Sequence, residues 1–195
     1  MKSIFIQIAS YKSRWLNPVI TTYPARYWYE GNNLILDTNL AVTYIDFKDD
    51  DPTLFKEKKF LHQIAKPNPY NNVFTKSVSG GSIFSEGSIS KISPNTKMFN
   101  WGEEMLYAMR LYTHGYDLML PKTQYLFHLY YDHNNIQSNK RNLSGKDFPE
   151  LTQKIYDESL DEVRRIVTGN VIGPQELGSK RTLRQYEEFA KISFA

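Results

Sequence analysis

Residues 99–117 read FNWGEEMLYAMRLYTHGYD and contain the clearest helix signal in the chain. Asn100 followed three residues later by Glu103 predicts a reciprocal N-terminal cap. A broad apolar stripe follows it, formed by Met105, Leu106, Ala108, Met109, Leu111 and Tyr112. Glycine is the residue that most often ends a helix, so Gly115 predicts that this helix stops near residue 114.

Short apolar and β-branched runs around this helix predict strands. They lie at residues 4–8, 18–24, 34–36, 41–47, 73–74, 116–120 and 125–130. We expect residues 4–8 to form a buried parallel strand that opens the domain. Pro18 and Pro24 bracket the next run, which fits a strand because proline belongs at strand edges.

Two further helices are predicted near the C-terminus. The first covers about residues 149–168, with Pro149 in its first turn and Gly169 as its stop. The second is a short helix that reaches about Ala190, and its start is predicted by Thr182 and Gln185, which have the spacing of a capping box. We therefore expect a core at residues 1–135 and a C-terminal helical extension at residues 136–195.

Composition limits the class of protein. The chain of 195 residues has no cysteine, which excludes a disulfide scaffold and a zinc ribbon. Its net charge is only +3 and it has no basic stripe, so we expect no nucleic-acid partner. No run approaches the roughly 20 apolar residues that span a bilayer, and the N-terminal apolar run is too short for a signal peptide. These features predict a cytoplasmic protein without a membrane span.

Two adjacent carboxylates, Glu103 and Glu104, follow Trp101 and Gly102 at the predicted helix start. Such a pair could hold a sugar hydroxyl, position an acceptor or act as a base. Acids in a first turn also offset the helix dipole with no chemistry at all. Both interpretations stay open on spacing alone.

Two other places could bind a ligand. His128, near a predicted strand end, is either a metal ligand or a histidine satisfied by the backbone. The turn Ser79-Gly80-Gly81 allows the backbone to approach a ligand closely, or simply permits positive φ. Asp49 and Asp51 form an Asp-x-Asp, but the flanking Lys48 and Pro52 indicate an exposed charged loop.

Taken in order, several segments resemble the GlcNAc-transferase family related to cytoplasmic enzymes that modify hydroxyproline. They are residues 3–11, 18–24, 79–81, 99–104, 110–117, Pro121, 127–130 and 177–187. The resemblance implies an α/β fold that is GT-A-like and Rossmann-related, with a truncated mixed sheet, flanking helices and a C-terminal helical appendage. It also implies transfer of GlcNAc or a similar sugar from a UDP-sugar donor to a hydroxyl-bearing sugar or protein acceptor, with Mn²⁺ or Mg²⁺ as cofactor.

The same family is similar to the polypeptide GalNAc-transferases, whose Trp-Gly-Gly-Glu-Asn segment corresponds to residues 101–104. On that analogy Glu103 and Glu104 are the catalytic residues and His128 is the metal ligand. The substrate-binding residues that the resemblance implies are Ser79, Gly80, Gly81, Trp101, Gly102, Arg110 and Tyr130.

One departure from the family pattern bears on activity. The family has a long stretch with an Asp-x-His or Asp-x-Asp metal motif between its first strand and the mid-domain strand that residues 18–24 resemble. Here Tyr11 reaches Pro18 through residues 12–17 alone. The resemblance thus implies a core shortened at this point, and a truncated sheet edge that favours a homo-oligomer or a complementing subunit. The alternatives are a non-catalytic carbohydrate- or partner-binding module and an unrelated α/β protein.

Overall fold

The computed structural model describes residues 2–12, 17–47, 63–68, 72–94, 98, 102–129, 149–171 and 173–194. Within these ranges the helices are α1 (Lys2–Lys12), α2 (Glu103–Thr113), α3 (Pro149–Val167) and α4 (Leu183–Ala190). The strands are β1 (Pro18–Thr21), β2 (Ala25–Glu30), β3 (Asn33–Leu36), β4 (Thr43–Phe47), β5 (Gln63–Pro67), β6 (Ile83–Phe84), β7 (Asp117–Met119) and β8 (Phe127–His128). The predicted α/β class is confirmed.

The strands form three small sheets in the orders β6-β1-β7, β3-β2-β8 and β4-β5. In the first, which we call the central sheet, β1 runs parallel to β7 and antiparallel to β6. Helices cover both faces of the central sheet. Neighbouring residues of a strand point to opposite sides, so they pack against different helices. Val19 and Leu118 pack into the large core with α2, α3 and α4. Ile20 and Met119 pack on the other side against α1.

The prediction of a strand at residues 4–8 is wrong, since this segment belongs to helix α1. Its buried residues Ile4, Gln7 and Tyr11 follow helical spacing, and they line up on the side that faces the sheet. Phe5 and Ile6 lie on the outer side and are 58% and 67% exposed. A short β-branched run has the same composition in a buried strand and in a helix, and here the period of burial distinguishes them.

Threonine hydroxyls connect the β4–β5 sheet to the central sheet. Thr22 Oγ1 accepts a hydrogen bond from the Thr43 backbone N–H at 3.1 Å. Thr75 Oγ1 accepts from the Ile45 N–H at 3.0 Å and donates to the Ile45 carbonyl at 3.1 Å. Together with the backbone hydrogen bond from the Lys76 N–H to the Ile45 carbonyl at 3.2 Å, these side chains hold β4 in place.

The structure tests the predicted end of α2 but not its predicted cap. Its predicted cap, Asn100, lies outside the described residues. The helix begins at Glu103 after Gly102, which has a φ of 73° and makes no side-chain cap hydrogen bond. The predicted stop is confirmed, because the helix ends before Gly115, whose φ is 90°.

The C-terminal helices follow the prediction closely. Helix α3 ends at Val167, two residues before Gly169 with its φ of 74°. Thr182 and Gln185 form both hydrogen bonds of the capping box before α4. Val163 of α3 and Tyr186 of α4 belong to the same hydrophobic core as the central sheet. The division into residues 1–135 and 136–195 stays a prediction, and the two parts share this core. None of the helices in the described ranges combines the length and the apolar character that crossing a membrane requires.

Candidate functional site

A turn of small residues lies against the carboxyl end of β1. The Ser79 N–H donates to Thr21 Oγ1 at 2.9 Å, and the Ser82 N–H closes the turn onto the Ser79 carbonyl at 3.0 Å. A Cβ atom on Gly81 would lie 3.5 Å from Pro24 Cγ, which is ordinary contact distance. Ser79, Gly80 and Gly81 are therefore fixed next to the point where the chain leaves β1.

The carboxylate of Glu104 is the centre of this region. It accepts a hydrogen bond from the Gly80 backbone N–H at 2.5 Å, from Tyr23 Oη at 3.2 Å and from Gln63 Nε2 at 2.9 Å. Hydrogen bonds to an ionised acceptor are the stronger kind. Three separate segments thus converge on one carboxylate in the first turn of α2, where the helix dipole also favours negative charge.

The absence of a side chain at Gly80 permits this approach. A Cβ atom built there would lie 3.3 Å from Glu104 Oε1, which is tighter than most such contacts. Glycine at this position therefore lets the backbone amide reach the carboxylate. The turn interpretation fits this geometry, and close approach of a ligand to the Gly80 backbone stays a prediction.

A hollow of 390 Å³, which we call the smaller hollow, opens next to residues that hold this carboxylate, and Glu104 itself does not line it. Tyr23 and Gln63, two of the three donors to Glu104, line it together with Pro24, Arg26 and Gln124. Gln124 Nε2 donates to the Tyr23 carbonyl at 2.7 Å and so fixes the wall. Gln63 Oε1 is buried and has no hydrogen-bond partner in the described part of the chain. The volume of the smaller hollow lies in the range of about 300–1,000 Å³ that is usual for small-molecule sites.

His128 lies on the exposed surface of β8. Its partner in the parallel register with β2 is Arg26, which lines the smaller hollow. Paired residues of neighbouring strands point to the same face, so His128 and Arg26 share one face of this sheet. Among the residues that the structure describes, no three His, Asp or Glu side chains are grouped to hold a metal ion.

Arg110 lies apart from the Glu104 cluster and is 1% exposed. Its guanidinium donates to the Ser93 carbonyl at 2.5 Å, to the Glu176 carbonyl at 3.3 Å and to Gln175 Oε1 at 3.1 Å. It also donates to the Pro174 carbonyl. These contacts tie α2 to the segment after α3, which favours a structural role, while the substrate-binding role stays a prediction.

The remaining predicted residues are placed as follows. Gly102 caps α2 in the left-handed conformation, and Glu103 is half-buried in the first turn. Trp101 and Tyr130 lie outside the described residues. The structure thus brings Glu104 to the turn at residues 79–81, and it places His128 next to a residue of the adjoining hollow.

Sequence reasoning missed Tyr23, Gln63 and Gln124 as residues of the site. Tyr23 stands at the end of the predicted strand between Pro18 and Pro24, and a hydroxyl at a strand end could have marked it as a site residue. Nothing in the local sequence of Gln63 or Gln124 marks them. Both reach the site because β5 and the segment after β7 converge there.

A second hollow, of 780 Å³, lies next to the first, and we call it the larger hollow. Tyr11 of α1 and residues 120–124 after β7 form part of its lining. Both hollows lie where the parallel strands β1 and β7 end, the edge at which α/β sheets usually bind ligands.

Comparison with known proteins agrees with this picture. The model of the family described as glycosyltransferase (GlcNAc) matches residues 7–195, almost the whole chain. Searches of the curated proteins and of the solved structures found no significant match. The family match covers the turn, both carboxylates and the C-terminal helices together, and the chain therefore belongs to the glycosyltransferase (GlcNAc) family.

Proposed function

We propose that this protein transfers GlcNAc or a similar sugar from a UDP-sugar to a hydroxyl group of an acceptor. The observation that carries the proposal is the Glu104 carboxylate, held by donors from Gly80, Tyr23 and Gln63 beside the smaller hollow. The family assignment supports the reaction class. The donor sugar, the acceptor and the GT-A-like relationship are part of the proposal.

In this reaction the acceptor oxygen bonds to the anomeric carbon of the donor sugar. The bond between that carbon and the diphosphate oxygen breaks, UDP leaves, and the hydroxyl proton passes to a base or to solvent. A carboxylate offers about four acceptor positions, of which protein donors take three at Glu104. The fourth can accept a hydrogen bond from a sugar hydroxyl, so Glu104 would orient the reacting group.

The resemblance also implies Mn²⁺ or Mg²⁺, which would stabilise the charge that develops on the leaving diphosphate. These ions prefer several oxygen ligands. The described residues do not fit that requirement, since protein donors occupy the Glu104 carboxylate and no three His, Asp or Glu side chains are grouped among them. The proposed reaction therefore contains no step at a metal ion, and the use of Mn²⁺ or Mg²⁺ stays a prediction.

A non-catalytic carbohydrate-binding module is the second candidate. The observation that favours it is the same set of three donors on Glu104, because a carboxylate engaged in this way also serves to hold α2 against the turn. In that case the hollows would bind sugar and no bond would be made or broken.

The two candidates are separated by measuring UDP-GlcNAc hydrolysis, with titration calorimetry of UDP in the presence and absence of Mn²⁺. Turnover, or UDP binding with a Kd in the micromolar range, supports the transferase. Sugar binding without UDP binding supports the module. If the protein shows no turnover and binds neither UDP nor sugars, both candidates are overturned.

A further inference from the structure

The two hollows adjoin, and together we call them the groove. Ala41, Pro67 and Gln124 line both of them, so the two hollows meet at these three residues. The smaller one adjoins the Glu104 cluster, and the larger one extends away from it along the segment after β7. A ligand with one end near Glu104 would therefore continue into the larger hollow.

The lining of the larger hollow favours a neutral ligand. Asn72 contributes a carboxamide and Thr123 a hydroxyl, while the Gln124 carboxamide is held by the Tyr23 carbonyl and the Tyr125 N–H. Lys122 is the one charged residue among the described lining. A diphosphate carries several negative charges and needs several cations or donors to compensate the loss of its hydration. Sugar hydroxyls need mixed donors and acceptors, which carboxamides provide. Apolar neighbours such as Val42 and Pro121 suit the C–H faces of sugar rings.

Helix α1 holds one wall of this hollow in place. Gln7 is 8% exposed and its carboxamide donates to Tyr11 Oη at 2.9 Å and to the Leu120 carbonyl at 3.3 Å. The Lys122 backbone N–H donates to Gln7 Oε1 at 3.2 Å. One side chain thereby fixes both ends of the Pro121 turn. The wall is built into the fold, as a preformed binding site requires.

We propose that the larger hollow binds the acceptor as a neutral oligosaccharide, whose terminal sugar extends past Ala41 and Gln124 towards Glu104. This inference rests on the proposed function, and it adds the acceptor class and its location. It requires more than one sugar unit in the acceptor, because the groove continues beyond the smaller hollow.

The test is an immobilised array of neutral oligosaccharides of two to six sugar units, with uronic-acid oligomers and Ser/Pro-rich peptides beside them. The tightest neutral binder is then titrated by calorimetry into the wild type and three variants. Ala41→Trp fills the junction of the hollows from an exposed position, and Asn72→Ala removes one carboxamide. Ala9→Trp is the matched control, since Ala9 is exposed on α1 and lies about 200° round the helix from Tyr11.

We expect a neutral oligosaccharide to bind, its Kd to rise at least tenfold with Ala41→Trp and severalfold with Asn72→Ala, and Ala9→Trp to stay within twofold. The proposal is overturned if peptides or acidic oligomers alone bind, if nothing binds, or if Ala41→Trp leaves the Kd unchanged. UDP-GlcNAc hydrolysis by the wild type is measured without acceptor. Hydrolysis without glycan binding rejects this inference alone. Glycan binding without hydrolysis or UDP binding rejects the transferase, and the larger hollow is then a glycan site without an acceptor role.

Discussion

Glu104 Oε1 accepts a hydrogen bond from the Gly80 backbone N–H at 2.5 Å, which joins the first turn of α2 to the turn at residues 79–81. This donor is a backbone amide whose position the fold determines, and the side chains of Tyr23 and Gln63 hold the other carboxylate oxygen. Such fixed placement is what a residue that orients a substrate requires. A substitution of Glu104 therefore changes both the hydrogen bonds of the site and the first turn of α2.

We expect Glu104→Gln to lower sugar transfer by about 100-fold or more, which is the usual loss when a positioned proton acceptor or orienting carboxylate is removed. The amide keeps the size and one acceptor oxygen, so the protein should still fold, with a loss of about 1–3 kcal/mol in unfolding free energy. Turnover and urea denaturation are measured together. Glu188→Gln, an exposed change on α4, is the control and should alter neither.

His128→Ala tests the metal assignment separately from the carboxylate. If His128 binds the ion, the variant needs more Mn²⁺ for half-maximal transfer while its stability is unchanged. An unaltered Mn²⁺ dependence removes His128 from the site. Full activity in both Glu104→Gln and His128→Ala would reject the site as a whole.

Local signals in the sequence were sufficient for much of the fold. The apolar stripe and glycine stop of α2 and the capping box of Thr182 and Gln185 act within a few residues, and the structure contains both. The segment at residues 4–8 failed because its composition favours a strand. Its helical state depends on packing of Ile4 and Tyr11 against the distant residues Ile20 and Met119.

The site was predictable only in part, for the same reason. Glu104 and Gly80 stand in marked sequence contexts, and the structure joins them. Tyr23 and Gln63 reach Glu104 across 81 and 41 positions of the chain. Contacts of that range are set by how β1 and β5 are arranged, and a single sequence gives no local sign of them.

Arg110→Met should reduce stability, because it removes the buried guanidinium that joins the carbonyls of Ser93, Pro174 and Glu176. A hydrogen bond to a charged group contributes about 1.5–3 kcal/mol. Arg110→Lys should recover only part of the loss, since an ammonium cannot reproduce the planar fork of a guanidinium. Thermal unfolding measures the effect. UDP binding that is weakened in Arg110→Lys at temperatures where the variant is fully folded would instead support the substrate-binding role.

Gly178 allows the C-terminal segment to lie directly on the end of α2. Its N–H donates to Thr113 Oγ1 at 2.9 Å, and a Cβ atom there would lie 2.3 Å from the His114 backbone nitrogen. Backbone atoms cannot yield as a flexible side chain can, so Gly178→Ala should lower the unfolding free energy by about 1–3 kcal/mol or more. Gly87→Ala is the matched control, because nothing lies within 4 Å of its Cβ position. Equal denaturation midpoints for the two variants would contradict the close packing.

Stability should also fall as the pH is lowered through the titration range of His114. Burial lowers the pKa of this imidazole from its ordinary 6.5, the charges of Arg110 and Lys180 lower it further, and contacts with Glu176 oppose them. Above pH 6.5 the ring is neutral in both the folded and the unfolded chain, so it contributes no pH dependence there. Below it the unfolded chain takes up a proton that the folded protein resists, and the unfolding free energy decreases until the folded pKa is passed.

The measurement is urea denaturation at a pH of about 7.5 and about 5.5, a range in which histidine is the side chain that ordinarily titrates. His114→Gln should flatten the difference in unfolding free energy between the two conditions. His128→Gln, at an exposed position of β8, serves as the control and should keep the wild-type difference. An identical difference in the wild type and His114→Gln would show that another group is responsible, because the glutamine cannot bind the proton on which the effect depends.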